Sequence, residues 1–156
     1  MAYSTLTDIR GMMTEDILIR MTNDEEVAVT LIDPNNSAHA NMVARINAAI
    51  AKADSTIDSK LRDIFNLPLS PLPDVIKDCA VDIAIYNIYT RKMPEAPASR
   101  KDRFDDAIRT LERIADGKQS IGENTPPDAQ PETLDSISTN KTLDDRVFTK
   151  ESLGGF

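Results

Sequence analysis

The sequence predicts a mainly α protein: a small bundle of three major helices, short helices at its N-terminus, an extended C-terminal arm and a candidate short strand. Three observations carry that reading. A clean apolar stripe at helical spacing runs from Met42 to Phe65, and the stretch from Val75 to Thr90 is apolar on most of its faces. After Lys118 the composition turns polar and proline-rich, with few large apolar residues to offset ordering entropy.

Taken in order, Thr5 or Thr7 suits the cap of a short helix through Leu6, Ile9 and Met12/Met13, interrupted near Gly11. Thr14-Glu15-Asp16 opens another first turn, with acidic residues where the helix dipole favours them, continued by Ile17, Leu18 and Met21. Val27 to Ile32 is β-branched and short, closed by Asp33-Pro34-Asn35-Asn36, and reads as a strand or an extended arm. Ser37 is the expected cap of the first major helix, whose stripe is Met42, Ile46, Ala49/Ile50, Ala53, Ile57, Leu61 and Ile64/Phe65. That helix ends before an elbow, Leu67-Pro68-Leu69-Ser70-Pro71-Leu72-Pro73, whose prolines fix their own φ and extend the residues before them. Pro73 suits a first helical turn. The central helix follows, with Val75, Ile76, Cys79, Ile83 and Tyr86 on one side and Val81, Ile85, Ile88 and Tyr89 filling much of the other. Pro94 and Pro97 stop it after Lys92. Ser99 is the expected cap of the third major helix, which buries Phe104, Ala107, Ile108, Leu111 and Ile114/Ala115 and terminates at Gly117 and Lys118.

The expected division is therefore a helical domain over residues 1–118 and a linker with a docking arm over 119–156. The arm regains apolar character only at its end, in Phe148, Leu153, Gly155 and Phe156. These residues either pack back onto their own helices or anchor a partner, as an added strand or an aromatic plug.

Composition narrows the chemistry. The formal net charge of -8 argues against a dedicated nucleic-acid binder, since neutralising phosphates takes clustered Lys and Arg. No signal-peptide layout opens the chain and no apolar run approaches a membrane span. One cysteine, Cys79, excludes an internal disulfide and suits a reducing compartment; at an inward helical position it reads as a buried inert thiol. His39 is the one histidine, so no metal spacing arises and a capping or surface role is expected for it. Asp78 and Asp82, one turn apart, are expected to line a narrow solvent face or pair with cations of neighbouring helices rather than form an acid/base couple. Asp105-Asp106, beside Arg100, Arg103 and Arg109, reads as solvated charge. The glycines are isolated or terminal, so no dinucleotide or phosphate loop is met. No catalytic residue, cofactor site or metal site emerges, and an enzyme is not expected.

Taken together, these features resemble the Mu-like phage and prophage family of neck proteins. The resemblance rests on Met1-Ala2-Tyr3-Ser4-Thr5 followed by Asp8, Ile57-Asp58, Leu67-Pro68-Leu69 with Pro73, and Asp82-Ile83-Ala84-Ile85-Tyr86 with Ile88-Tyr89. It continues through Arg103-Phe104-Asp105-Asp106-Ala107, Ile114-Ala115-Asp116-Gly117-Lys118 and the closing Phe148-Thr149-Lys150-Glu151-Ser152-Leu153 with Gly155-Phe156. Two places depart from it: Ile64-Phe65 stand where members carry an Arg-Tyr pair, and Val27 to Asn36 is untypical. The family resembles in helix arrangement the head–tail adaptor (connector) proteins of tailed phages. That likeness implies a structural subunit in a homo-oligomeric ring of the virion neck, assembled in the bacterial cytoplasm. Its partners would be the portal and the tail or head-closure proteins, with DNA passing without specific binding and no membrane involved. The alternative is a phage assembly factor or regulator, absent from the virion, that uses its C-terminal motif as a docking peptide.

Overall fold

Thr5 opens the first helix with a reciprocal cap: its hydroxyl accepts the Asp8 N–H at 3.3 Å and the Asp8 carboxylate accepts the Thr5 N–H at 2.9 Å. In the computed structural model, which describes residues 2–121, this helix is α1, Leu6–Met12. Gly11 lies inside it, so the helix is not interrupted there as expected. Then come α2 (Glu15–Thr22), a 3-10 turn over Ser37–His39, α3 (Ala40–Leu61), α4 (Asp74–Lys92) and α5 (Ala98–Ala115).

The expected stripe of α3 is the observed one: Met42, Ile46, Ala49, Ile50, Ala53, Ile57 and Leu61 are all buried. The helix stops at Leu61, before Ile64 and Phe65, whose N–H groups both turn back to the Leu61 carbonyl. The N-cap of α3 is His39, without a side-chain cap bond, and Asn36 rather than Ser37 caps the 3-10 turn before it. The Asn36 side chain accepts the Ala38 N–H at 3.0 Å, and Ser37 belongs to the 3-10 turn. Two further caps differ from expectation. Pro73 precedes α4 in extended geometry instead of occupying its first turn, and Pro97 rather than Ser99 precedes α5. In both cases the proline's fixed φ meets an extended ψ that sets the entry angle of the chain without a side-chain bond.

The end of α5 follows the glycine rule. Gly117 takes φ +70, its N–H donates to the Ile114 carbonyl at 3.0 Å, and the Lys118 N–H donates to that of Arg113 at 2.8 Å. Beyond this turn Ile121 is buried, so the packed unit runs past the Lys118 boundary read from composition.

Helix α4 is the axis of the fold and touches all four other helices. Nearly every apolar residue it carries is buried, from Ile76 through Tyr89. On one side Asn87 donates to the Ala49 carbonyl of α3 at 3.3 Å. On another, Tyr86 stacks on Phe104 of α5 with ring centroids 4.2 Å apart. The Cys79 thiol faces the Ala107 carbonyl. Ahead of α1, Tyr3 is buried against α3; its hydroxyl donates to Asp58 and its N–H to Asp54 at 3.1 Å. Val27 to Ile32 forms neither the strand nor the extended arm expected of it: it is irregular and bends at Thr30 and Leu31. No helix among the described residues is long and apolar enough to cross a membrane.

Candidate functional site

The docking residues expected from the sequence, Phe148, Leu153, Gly155 and Phe156, lie outside the described residues. Within the described core, two features stand out: the segment joining α2 to α3, and a cleft beside α4.

The segment is built on a helix end. The last carbonyls of α2 lack intrahelical partners, and three cations from other helices supply them. Lys92 donates to the Arg20 carbonyl at 3.0 Å, Arg45 to that of Thr22 at 2.8 Å, and Arg91 to that of Met21. Asp24 then ties the same three cations together, with Arg91 at 2.7 Å, Lys92 at 3.2 Å and Arg45 at 3.3 Å. The Arg91 hydrogen bonds, with Lys92 and Arg45 behind them, hold the Asp24 carboxyl far below the usual carboxylate range. Arg45 likewise pulls Glu25 down to about 2.

Glu26 turns the chain with φ +54, a left-handed value uncommon outside glycine. The Asn23 side chain closes that turn by accepting the Val27 N–H at 3.1 Å and donating to the Val27 carbonyl at 2.7 Å. At the far end Ile32 is buried, and an ion pair clasps its backbone. Arg10 and Glu15 pair at 2.8 Å, Glu15 accepts the Ile32 N–H at 2.7 Å, and Arg10 donates to the Ile32 carbonyl. The next N–H, of Asp33, donates to His39 Nδ1 at 2.9 Å. His39 is buried and fastens this segment, rather than capping α3 with its side chain or lying at the surface as expected.

The cleft lies between α1, α4 and α5 and holds about 760 Å³. Asp74, Asp78 and Asp82 recur one turn apart along its α4 wall, with Asp8 opposite. Two cations answer them: Lys77 pairs with Asp8 at 2.8 Å, and Arg103 stands 3.5 Å from Asp82. The pairing expected for Asp82 is thus present, made by α5. Lys77 and the Thr5 hydroxyl hold the Asp8 carboxyl below its usual range. Asp106 pairs with Arg109 at 2.8 Å on the exposed side of α5.

A smaller groove of about 250 Å³ runs from there towards Cys79. Burial, reinforced by Asp82 and Asp78, pushes that thiol up to about 11, so at neutral pH it is protonated and a poor nucleophile. No group of three or more His, Cys, Asp or Glu among the described residues is placed to hold a metal ion. What this arrangement offers is contact: carboxylates in a cleft, and a connecting segment held at both ends.

The family described as Bacteriophage Mu, Gp36 matches residues 3–139. The chain belongs to this Mu-like phage family. It is 35% identical over 79 residues to the Mu-like prophage FluMu protein gp36 of Haemophilus influenzae, a match covering 51% of this chain and 54% of that relative. It is 30% identical over 107 residues to Gene product J of Escherichia phage Mu, covering 68% of this chain and 72% of that one. The chain thus spans about half the length of the FluMu relative. The Gp36 match takes in the elbow, all five helices and part of the arm, and stops before Phe148. The terminal motif read as the family's closing signature is outside that span.

Sequence reasoning missed the cation trio on α2, the Arg10–Glu15 clasp and the Tyr3 contacts. Each joins residues far apart in the chain, and none carries a local spacing signal. Only the acidic turn Asn23-Asp24-Glu25-Glu26, read as a break in the apolar pattern, marked the place.

Proposed function

We propose that this phage protein is a structural head–tail adaptor of the virion neck, one of a closed ring of identical subunits between portal and tail that extends the DNA channel. It works by contact rather than turnover, and its partners are its own copies, the portal, and the tail or head-closure proteins. The observation that carries the reading is the sheathing of α4 by four helices in a chain of the Mu Gp36 family. That burial makes a rigid block whose distinctive chemistry is all at its surface. A ring also needs two unlike faces on each subunit, because its contacts are heterologous and close by rotation. The carboxylate cleft beside α4 and the fastened segment between α2 and α3 are two such faces. Phe148, Leu153, Gly155 and Phe156 serve as the arm's anchors in this reading, and DNA passes the acidic chain without specific binding.

Quantitative mass spectrometry of purified virions tests the proposal. A fixed, small, ring-like ratio to the portal is the expected result. Presence in the lysate but absence from particles would overturn it in favour of an assembly factor.

A further inference from the structure

Helix α4 carries unlike charges on two sides. Along its N-terminal half Asp74, Asp78 and Asp82 form one wall of the carboxylate cleft. Towards its C-terminal end Asn87, Thr90 and Arg91 line a second groove, of about 270 Å³, whose other wall is α3. At about 100° per residue the two sets stand close to half a turn apart, so cleft and groove open on opposite sides of the helix. From α3 the groove takes Arg45 and Lys52, and no carboxylate lines it among the described residues. Arg45 and Arg91 are shared with Asp24 and Glu25, but Lys52 is exposed and makes no ion pair among those residues. The cleft is the converse. Lys77 is held by Asp8 and Arg103 faces Asp82, which leaves Asp74 and Asp78 exposed and outside any ion pair among the described residues.

We infer that the carboxylate wall of one copy docks in the α3–α4 groove of a second copy, an inference that rests on the ring reading above. Charge selects the occupant. In a chain of net charge -8, a groove lined by three cations suits an acidic surface, and the chain's own cleft supplies one. Asp74 and Asp78 meet Lys52, the charges left without ion pairs on either side, while Arg45 and Arg91 reinforce the field. The two rows are of like length. Arg45 to Lys52 rises about 10 Å along α3, and Asp74 to Asp82 about 12 Å along α4. Between the two α3 cations Ala48 and Ala49 are small, which lets another helix approach. Asn87 adds a polar anchor. It is 9% exposed, its amide donates to the Ala49 carbonyl, and its amide oxygen has no donor among the described residues. A donor from the docked copy completes it. Each copy offers its cleft on one side of α4 and its groove on the other, so the contacts run head-to-tail, as a ring requires.

Charge reversal in the full chain tests this. Lys52→Glu and Asp78→Lys change exposed side chains outside any described ion pair and spare the cations that hold α2. Helical circular dichroism should match wild type in both, and Asp74→Lys replaces Asp78→Lys if it does not. Each variant alone should self-associate about ten-fold more weakly than wild type in sedimentation at low salt. The Lys52→Glu/Asp78→Lys double variant should return to within about three-fold of wild type, because the reversed charges meet again across copies. Wild-type association should weaken as salt rises. Single variants that associate like wild type, or a double variant no stronger than the singles, would overturn the docking. So would association that salt leaves unchanged, or a wild-type chain that stays monomeric at every concentration. Rings that form whichever single variant is supplied would overturn it while leaving the adaptor reading intact. Absence of the wild-type chain from virions, by contrast, would count against the adaptor reading alone.

Discussion

Asp24 and Glu25 are surface carboxylates with an outsized share of long-range contacts, since their cations come from α3 and α4. A carboxyl depressed in the folded state adds stability above its unfolded pKa and loses it as pH falls through the folded one. The Asp24 carboxyl lies well below its usual value and that of Glu25 is lowered to about 2. Stability should therefore be level between roughly pH 5 and pH 8 and fall from about pH 4 to pH 2. Urea midpoints across that range check this, and the Arg45→Ala/Arg91→Ala double variant should show a lower plateau and a flatter acid limb. Among the described residues, Ser4 Oγ and Asp82 Oδ1 are buried without a hydrogen bond. Asp82 Oδ1 nonetheless faces Arg103 at ion-pair distance.

At the scale of elements, the helices were legible because burial repeats with the helical period. The stripe from Met42 to Leu61 could be read residue by residue, and Gly117 marked an end that its positive φ confirms. Caps were less legible. Ser37 and Ser99 carry the right chemistry one or two places from where Asn36 and Pro97 act, and sequence alone does not say which residue meets the free N–H groups. That Val27 to Ile32 breaks the helical pattern was readable, but its bend at Thr30 and Leu31 and its fastening were not, because Arg10, Glu15 and His39 come from elsewhere in the chain. Two substitutions gauge these elements by urea unfolding. Thr5→Ala, which opens the reciprocal cap of α1, should cost about 1 kcal/mol. Ile57→Ala, at a fully buried position of α3, should cost about 2–5 kcal/mol through the cavity it leaves.

For the whole molecule, the burial of Ile121 moves the core past the compositional boundary. A chain ended after Ile121 should keep its helical signal and unfold cooperatively. One ended after Lys118 should be less stable by roughly 1.5–3 kcal/mol, the contribution of one buried isoleucine. Circular dichroism melts of the two compare them directly. The net charge of -8 predicts no measurable retention of duplex DNA even at low salt, which a filter-binding titration checks. Tight binding would remove the idea of an acidic channel wall that DNA slides past. Cys79, almost wholly buried at the floor of the groove between α4 and α5 with its thiol protonated, has one more use. A thiol reagent gains full access to it when the two helices part, so the labelling rate reports those partings. The chain thus carries its own clock for breathing motions, one that subunits locked into an assembly should slow.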